Sequence, residues 1–468
     1  MAGTLRLSNG SQIAIIGGGP AGAFFAHFAM KYAQELGIDL SITLFDGKDF
    51  LQKGPKGCNL CAGVIAESLN HKLKKEGICL PEKRIINRVE GYSLHWGQEI
   101  LHLSFDEYGR DTIATVFRGN GPRYSTFPDI ISFDDFLLSW AQDRGAQIIA
   151  SPVWDIKKSK DKNEPISVYY GKNNNQDKYE ADLVIVACGV NTNLIKKIQG
   201  LGFGYKPPST ILTYQAEVKM GRDEVQRHFG NTIHVYMPKA THLRYVTIIP
   251  KGDFITITLI GKQSVNEEVF SELSLITNLQ AIVPLLKPSC FCYPRIAVSP
   301  AKKPFTDRMV IIGDASFSRH YKNGIESAFL TAKLAAETAC FKGSDASSFS
   351  SFYYKNAKKL IIHDNYYGRL LFTLNDVIFS LPPLAQIHFT LAKKERKNSP
   401  SKKIRTILWY MFTGGISYKD IFKISLDLKL QISLLSHTMI ILIEKLKKSI
   451  HKTANEHKDI DPPRPYKE

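Results

Sequence analysis

The stretch Gln12-Ile-Ala-Ile-Ile16, running straight into Gly17-Gly-Gly-Pro-Ala-Gly22, restricts the fold more than any other part of the chain. A short β-branched apolar run reads as a buried parallel strand. The segment from Ala23 to Gln34 has helical character, Gly37 closes it, and Ser41-Ile-Thr-Leu-Phe45 reads as a second strand ending at Asp46. Between strand and helix stands Gly17-x-Gly19-x-x-Gly22. Gly17 permits the tight turn, Gly19 lets the backbone approach a pyrophosphate, and Gly22 lets helix and strand pack closely. The helix start at Pro20 and Ala21 then presents a positive dipole end and, from Ala21 on, free N–H groups to the phosphate. Asp46 is placed to accept from ribose hydroxyls, and its charge disfavours a 2′-phosphate. This pattern predicts a dinucleotide-binding βαβ unit from near Gln12 to near Asp46.

A second signal lies about 290 residues on. Met309-Val-Ile-Ile-Gly313-Asp314-Ala315 is a strand ending in Gly-Asp, and Lys322-Asn-Gly-Ile-Glu-Ser-Ala328 opens a long helix reaching about Cys340. With these two motifs the sequence resembles the p-hydroxybenzoate hydroxylase superfamily of FAD proteins. The resemblance implies FAD as cofactor, with Gly313 and Asp314 at the ribityl and pyrophosphate region. It also implies that Asn323, Gly324 and Ile325, at the helix start, face the flavin pyrimidine edge, where charge collects on reduction.

Three further elements narrow the resemblance. Lys56-Gly-Cys-Asn-Leu-Cys-Ala-Gly-Val64 contains a Cys-x-Gly element where the superfamily places a loop over the flavin, and it resembles geranylgeranyl reductases. Val116-Phe-Arg118, Phe133-Asp-Asp-Phe-Leu137 and Gly145-Ala146 resemble segments of the same group, as does Leu243-Arg-Tyr-Val-Thr-Ile-Ile-Pro-Lys-Gly252. Arg118 is the favoured flavin-side contact and Arg123 its rival. The sequence departs from the superfamily at Cys188-Gly189, where Asp-Gly is usual. It also departs at Arg319-His-Tyr321, where a proline is usual, and at Lys322, where a glycine is usual. These departures put direct NAD(P)H use in doubt and leave FAD binding intact. Lys322 adds positive charge that favours an anionic reduced flavin.

The seven cysteines form one C-x-x-C, Cys58 and Cys61, and one C-x-C, Cys290 and Cys292. Four thiolates suit zinc or an iron–sulfur cluster, but the second spacing is wrong for an ordinary zinc ribbon, and no metal is expected. A redox pair, a substrate-side thiol at Cys61 and simple loop packing all remain open for the first pair. Cys79, Cys188 and Cys340 read as packing residues. His320 and Tyr321, close to the flavin helix, read either as proton donors or as pocket lining.

The chain carries 61 Lys and Arg against 44 Asp and Glu, a formal net charge of +17. From Ser351 to Glu468 the count is 21 against 10, so most of the excess is C-terminal. Such charge favours an anionic partner. Lys393-Lys-Glu-Arg-Lys397 and Lys402-Lys-Ile-Arg405 precede an apolar run containing Trp409 and Tyr410. Leu430 to Ile443 lacks Asp, Glu, Lys and Arg, and Lys445-Leu-Lys-Lys448 follows. Two readings stand level: a helix lying on an anionic membrane surface, or a core helix with a solvated basic face. Nucleic acid is not expected, since no nucleic-acid motif accompanies the charge. No apolar stretch approaches the roughly 20 residues a membrane span needs. The N-terminal apolar run is too short for a secretory signal, and the odd cysteine count suits reduced thiols. The expected location is cytoplasmic, peripheral to the inner face of the membrane.

The expectation is an α/β protein: a discontinuous Rossmann-type FAD-binding domain (11–84, 116–200 and 296–345) with an inserted β-sheet substrate domain (85–115 and 201–295). A basic helical region (346–450) and a disordered tail (451–468) complete the chain. Its expected activity, implied by the resemblance, is reduction of carbon–carbon double bonds in an isoprenoid or lipid-like substrate by an unidentified electron donor. The alternatives are an NAD(P)H- and oxygen-dependent flavin monooxygenase, and a flavoprotein electron carrier or redox-sensing partner.

Overall fold

The computed structural model describes residues 5–107, 113–171, 177–238, 242–321, 324–395, 402–440 and 443. Along the chain the elements that build the site are β1 (Ser11–Ile16), α1 (Pro20–Leu36), β2 (Leu40–Phe45), α2 (Phe133–Gln142), β3 (Leu183–Val186), β4 (Tyr214–Lys219), β5 (Leu243–Lys251), β6 (Phe254–Gly261), β7 (Pro288–Cys292), β8 (Met309–Ile311) and α3 (Gly324–Phe341). Four helices follow: α4 (His363–Ser380), α5 (Pro382–Lys394), α6 (Lys403–Thr413) and α7 (Tyr418–Ser425).

One sheet of six strands runs in the order Phe305–Thr306, β8, β3, β1, β2, Gln147–Ile149. Its centre is parallel, with Ile13 opposite Leu183 on one side and Ile42 on the other. Strands buried on both faces must be apolar throughout, and Ile13, Ile15, Leu44, Leu183 and Ile185 are all fully buried. Helix α1 starts at Pro20, whose fixed φ suits a first helical position. It stops at Gly37, which takes the left-handed conformation at φ 66°. Alanine and phenylalanine cover most of its surface because α2 and α3 enclose it against the sheet. Phe24 and Phe28 meet the ring edge of Phe329 on α3 at 5.4 and 5.2 Å. Each such ring contributes roughly 1.5–3 kcal/mol of burial.

A second sheet of seven strands runs β7, β4, β6, β5, Ile233–Tyr236, Gly91–Trp96, Glu99–Ser104. Side chains alternate across it with period two. Ala216, Val218, Ile255, Ile257, Val246 and Ile248 form a core on one face. Gln215, Glu217 and Thr256 therefore fall on the other face, and they too are buried.

The C-terminal helices pack on the outer strands of this second sheet. Trp409 meets the rings of Phe105 and Tyr92 at 4.5 and 6.0 Å, and Arg405 pairs with Glu107. The helix beginning at 428 buries Leu430 and turns Leu428, Ile432, Leu435 and Met439 outward. It thus has both a core face and an exposed apolar face, which neither sequence reading alone described. Among the described residues no single helix is long and apolar enough to cross a membrane, although one pair bent by 106°, Ala346–Ser380 with Pro382–Lys394, reaches the length and composition together. The polar stretch 157–178, which reads in sequence as a hairpin with an exposed turn, belongs instead to an antiparallel trio of strands. Residues 172–176 of that stretch, the 445–448 lysines and the tail expected to be disordered lie outside the described residues.

Candidate functional site

The glycine turn is closed by contacts that leave no room for side chains. Gly17 has φ 112°, and a Cβ on it would stand 2.6 Å from the Ala187 carbonyl oxygen; one on Gly22 would stand 1.9 Å from that of Gly17. Gly19 caps α1 with extended backbone and no side-chain hydrogen bond. The Ala21 and Gly22 amides, in the first turn, are donors that no capping side chain takes up. Asp46 does something the sequence did not suggest. Its Oδ2 accepts from the Gly18 N–H at 2.6 Å and its Oδ1 from the Lys48 N–H at 2.8 Å, so the carboxylate pins the turn. Each oxygen retains a second lone pair for a hydroxyl. Burial raises its pKa, partly offset by these two backbone N–H groups.

The second motif comes to the same place. Gly313 has φ 65°, and a Cβ there would lie 3.0 Å from the Ala21 Cβ at the start of α1. Asp314 follows. A Cβ on Gly324, the first residue of α3, would lie 3.5 Å from both of its carboxylate oxygens. Asp314 Oδ1 is buried and has no hydrogen-bond partner among the described residues, and burial raises its pKa. A buried orphan acceptor costs about 1–3 kcal/mol, and a ligand hydroxyl would relieve it. Open amides at a positive helix end beside an orphan carboxylate oxygen fit a diphosphate that continues into a polyol, as FAD does. Ile325 is buried behind this helix start, while Lys322 and Asn323 lie outside the described residues.

Arg118 is buried and paired with Asp134 of α2, through Nε at 2.5 Å and Nη2 at 2.9 Å. Asn59 also donates to Asp134. Burial works against the guanidinium charge, and Asp134 more than reverses the effect. Arg118 also lines the cleft described next, whereas Arg123 is exposed.

That cleft has about 440 Å³ of empty space, partly open to solvent. One wall is the loop after β2, with Pro55, Cys58, Leu60 and Cys61; the opposite wall is the buried polar face of the second sheet. Gln215 stands opposite Cys292, and Glu217 stands opposite both Cys290 and Thr256. The two cysteine pairs, 229 or more residues apart, thus meet at one cavity. All seven cysteines are free thiols, and among the described residues no three or more His, Cys, Asp or Glu side chains are arranged to hold a metal ion. Burial pushes Cys58 up to about 11 and Cys292 up to about 12, so both are neutral thiols at pH 7.

Two ionisable residues here carried no functional signal in the sequence. Glu217 Oε2 accepts from the Thr256 hydroxyl at 2.7 Å while the side chain lines the cleft. Lys251 is fully buried; its Nζ has no hydrogen-bond partner among the described residues and sits 4.6 Å from the Phe117 ring centre. Burial raises the Glu217 pKa against the pull of Lys251 and lowers that of Lys251 against the pull of Glu217.

His320 and Tyr321 lie elsewhere. The His320 N–H donates to Asn365 Oδ1 at 2.8 Å, and its carbonyl accepts from Tyr418. Burial pushes the ring down to about 4, so it is neutral at pH 7. Tyr321, at φ 53°, lies beneath the Arg244 guanidinium at 4.8 Å. Both rings pack on Phe372 of α4, and neither lines the cleft with Cys61. Next to them Arg319 donates to the carbonyls of Gly414 and Ile416 and pairs with Asp364 at 3.1 Å. The C-terminal helices thereby hold the segment that leads into α3.

No model of a known protein family matches the sequence, and no curated protein matches it. Solved structures do. A geranylgeranyl bacteriochlorophyll reductase-like protein from Thermoplasma acidophilum is 16% identical with a TM-score of 0.62, over 90% of this chain and 99% of that one. A flavoprotein/dehydrogenase from Cytophaga hutchinsonii is 17% identical with a TM-score of 0.61, over 93% and 100%. A flavin-dependent halogenase is 15% identical with a TM-score of 0.58, over 94% and 78%. The fold of this chain is that of the Rossmann-type flavoproteins.

Proposed function

We propose that this protein is an FAD-dependent oxidoreductase that reduces carbon–carbon double bonds of an isoprenoid or other lipid-like substrate. The observation that carries the reading is the meeting of the Gly17–Gly22 turn, the orphan Asp314 oxygen and the start of α3 beside a largely apolar cleft. Ala21, Gly22, Asp46, Asp314 and Gly324 would hold the cofactor, which supplies hydride when reduced. Pro55, Leu60, Phe117, Pro122 and Phe291 give the cleft an apolar lining suited to a hydrocarbon chain. The printed description of the Thermoplasma acidophilum structure, reductase-like, supports this choice of reaction. The domain division given above accompanies it, with the cofactor on the first sheet and the substrate on the second. The test is to extract the bound cofactor, reduce the protein anaerobically, incubate it with a lipid extract and seek mass gains of two hydrogens. Folded protein that neither carries flavin nor takes it up ends the reading. Rapid NADPH oxidation with hydroxylation replaces it by a monooxygenase.

The outward face of the 428–440 helix supports a second element, docking on an anionic membrane surface. Leu428 is 73% exposed and Leu435 65%, and Lys419, Lys423 and Lys429 lie just before or at the helix start. Apolar insertion with lysines at the headgroups is how interfacial helices bind. Sedimentation with vesicles containing phosphatidylserine, but not with neutral ones, is the expected result. Equal recovery with both, or with neither, removes this element.

A further inference from the structure

We infer that Glu217 is the proton donor of the proposed double-bond reduction and that Lys251 is its positioning residue. The inference rests on the reduction proposed above and names the group that completes it. Hydride addition to one carbon of a double bond leaves the other carbon needing a proton. A reduced flavin held at the site would supply the hydride and be oxidised in doing so. The Glu217 carboxyl supplies the proton, the π bond breaks and two C–H bonds form. The carboxylate left behind is stabilised by the Thr256 hydroxyl and the Lys251 charge until it regains a proton from water.

The geometry singles out this side chain. Glu217 is 9% exposed, and it lines the cleft. One oxygen is tied to Thr256, which leaves the other free to face a substrate. The groups around it are Lys251, Arg118 (already paired with Asp134) and the thiols Cys58, Cys61, Cys290 and Cys292. Among them Lys251 is the charged group that acts on Glu217, and its amine, fully buried without a hydrogen-bond partner among the described residues, is a cost that folding alone does not explain. Burial raises the Glu217 pKa and Lys251 opposes that rise, so the acid form is held more firmly than in an exposed carboxylate.

The test uses FAD-loaded full-length protein reduced with dithionite, with geranylgeranyl diphosphate as probe. Flavin reoxidation and product mass are followed as a function of pH. Glu217→Gln is expected to slow reduction by roughly 10²- to 10⁴-fold, with flavin content and probe affinity unchanged. Lys251→Met is expected to move the alkaline limb of the wild-type profile to higher pH, because it removes the charge that holds the Glu217 pKa down; a merely structural role would not move the limb that way. Infrared spectra without any probe should contain a protonated carboxyl band at neutral pH that Glu217→Gln abolishes. Wild-type protein that reduces no double bond overturns the proposed reaction and the proton step with it. Turnover by Glu217→Gln within three-fold of wild type, or absence of the infrared band, overturns the Glu217 assignment alone.

Discussion

Replacing Asp314 by alanine separates a cofactor ligand from an ordinary strand-end residue. Its Oδ1 is buried without a partner among the described residues, so a ribityl hydroxyl donating to it would make a charge-assisted hydrogen bond. Such a bond is worth about 1.5–3 kcal/mol, and its loss should weaken FAD binding roughly ten- to 150-fold. Because the cofactor binds only folded protein, the stabilisation it confers at a fixed excess should fall by the same 1.5–3 kcal/mol. The apoprotein should respond in the opposite direction. The folded-state pKa of Asp314 is raised, with burial as the main cause. Its contribution to stability is therefore present below the ordinary carboxylate range and is lost as pH rises through the folded value. The stability difference between variant and wild-type apoprotein should accordingly shift in favour of the variant between pH 4 and pH 7. Urea unfolding of stripped and FAD-saturated protein at both pH values measures all of this. An unchanged FAD affinity in a folded variant refutes the assignment, and with it the claim that the two glycine motifs build one nucleotide site.

Gly22→Ala would put a methyl group 1.9 Å from the Gly17 carbonyl oxygen. It should cost more than about 4 kcal/mol, read as loss of folded protein or of bound flavin; near wild-type stability would mean that the turn opens freely. Arg118→Leu strands the buried Asp134 carboxylate and should destabilise by about 3–5 kcal/mol in denaturant titrations. Adding Asp134→Leu should recover much of that loss, and a double variant no better than the single one would show that the pair is not the cause. Alkylation followed by peptide mass analysis should modify exposed Cys79 well before Cys58 or Cys292, whose thiols are pushed up to about 11 and about 12. Rapid labelling of Cys58 at pH 7 would contradict a burial-suppressed thiolate.

The glycine turn after β1 was legible because backbone geometry dictated its residues. Gly17 and Gly22 sit where any Cβ would strike a carbonyl, and a demand of that kind leaves a fixed spacing in the sequence. The cleft side was not legible. In Tyr214-Gln-Ala-Glu-Val-Lys219 and Phe254-Ile-Thr-Ile-Thr-Leu259 the polar positions alternate as they do on a strand with one wet face. That Gln215, Glu217 and Thr256 face a covered cleft depends on a loop about 160 residues upstream, which no local pattern reveals. His320 and Tyr321 were proposed from closeness in sequence to the start of α3. Phe372, Asn365 and Tyr418, which surround them, come from helices whose docking the sequence does not encode locally. Asp46 lies between these cases: its position was read correctly, but its grip on Gly18 belongs to three-dimensional closure.

Arg319 makes the far end of the chain a structural component of the cofactor end. Its guanidinium is buried; it lies 3.7 Å from Glu326 of α3, and its other partners, Asp364, Gly414 and Ile416, lie beyond residue 360. A protein cut back before α4 would strip that buried cation of Asp364 and of both carbonyls and leave Glu326 alone to offset its burial, just ahead of α3. Truncation of the basic helices should therefore disturb the start of α3, and with it the retention of any cofactor bound there.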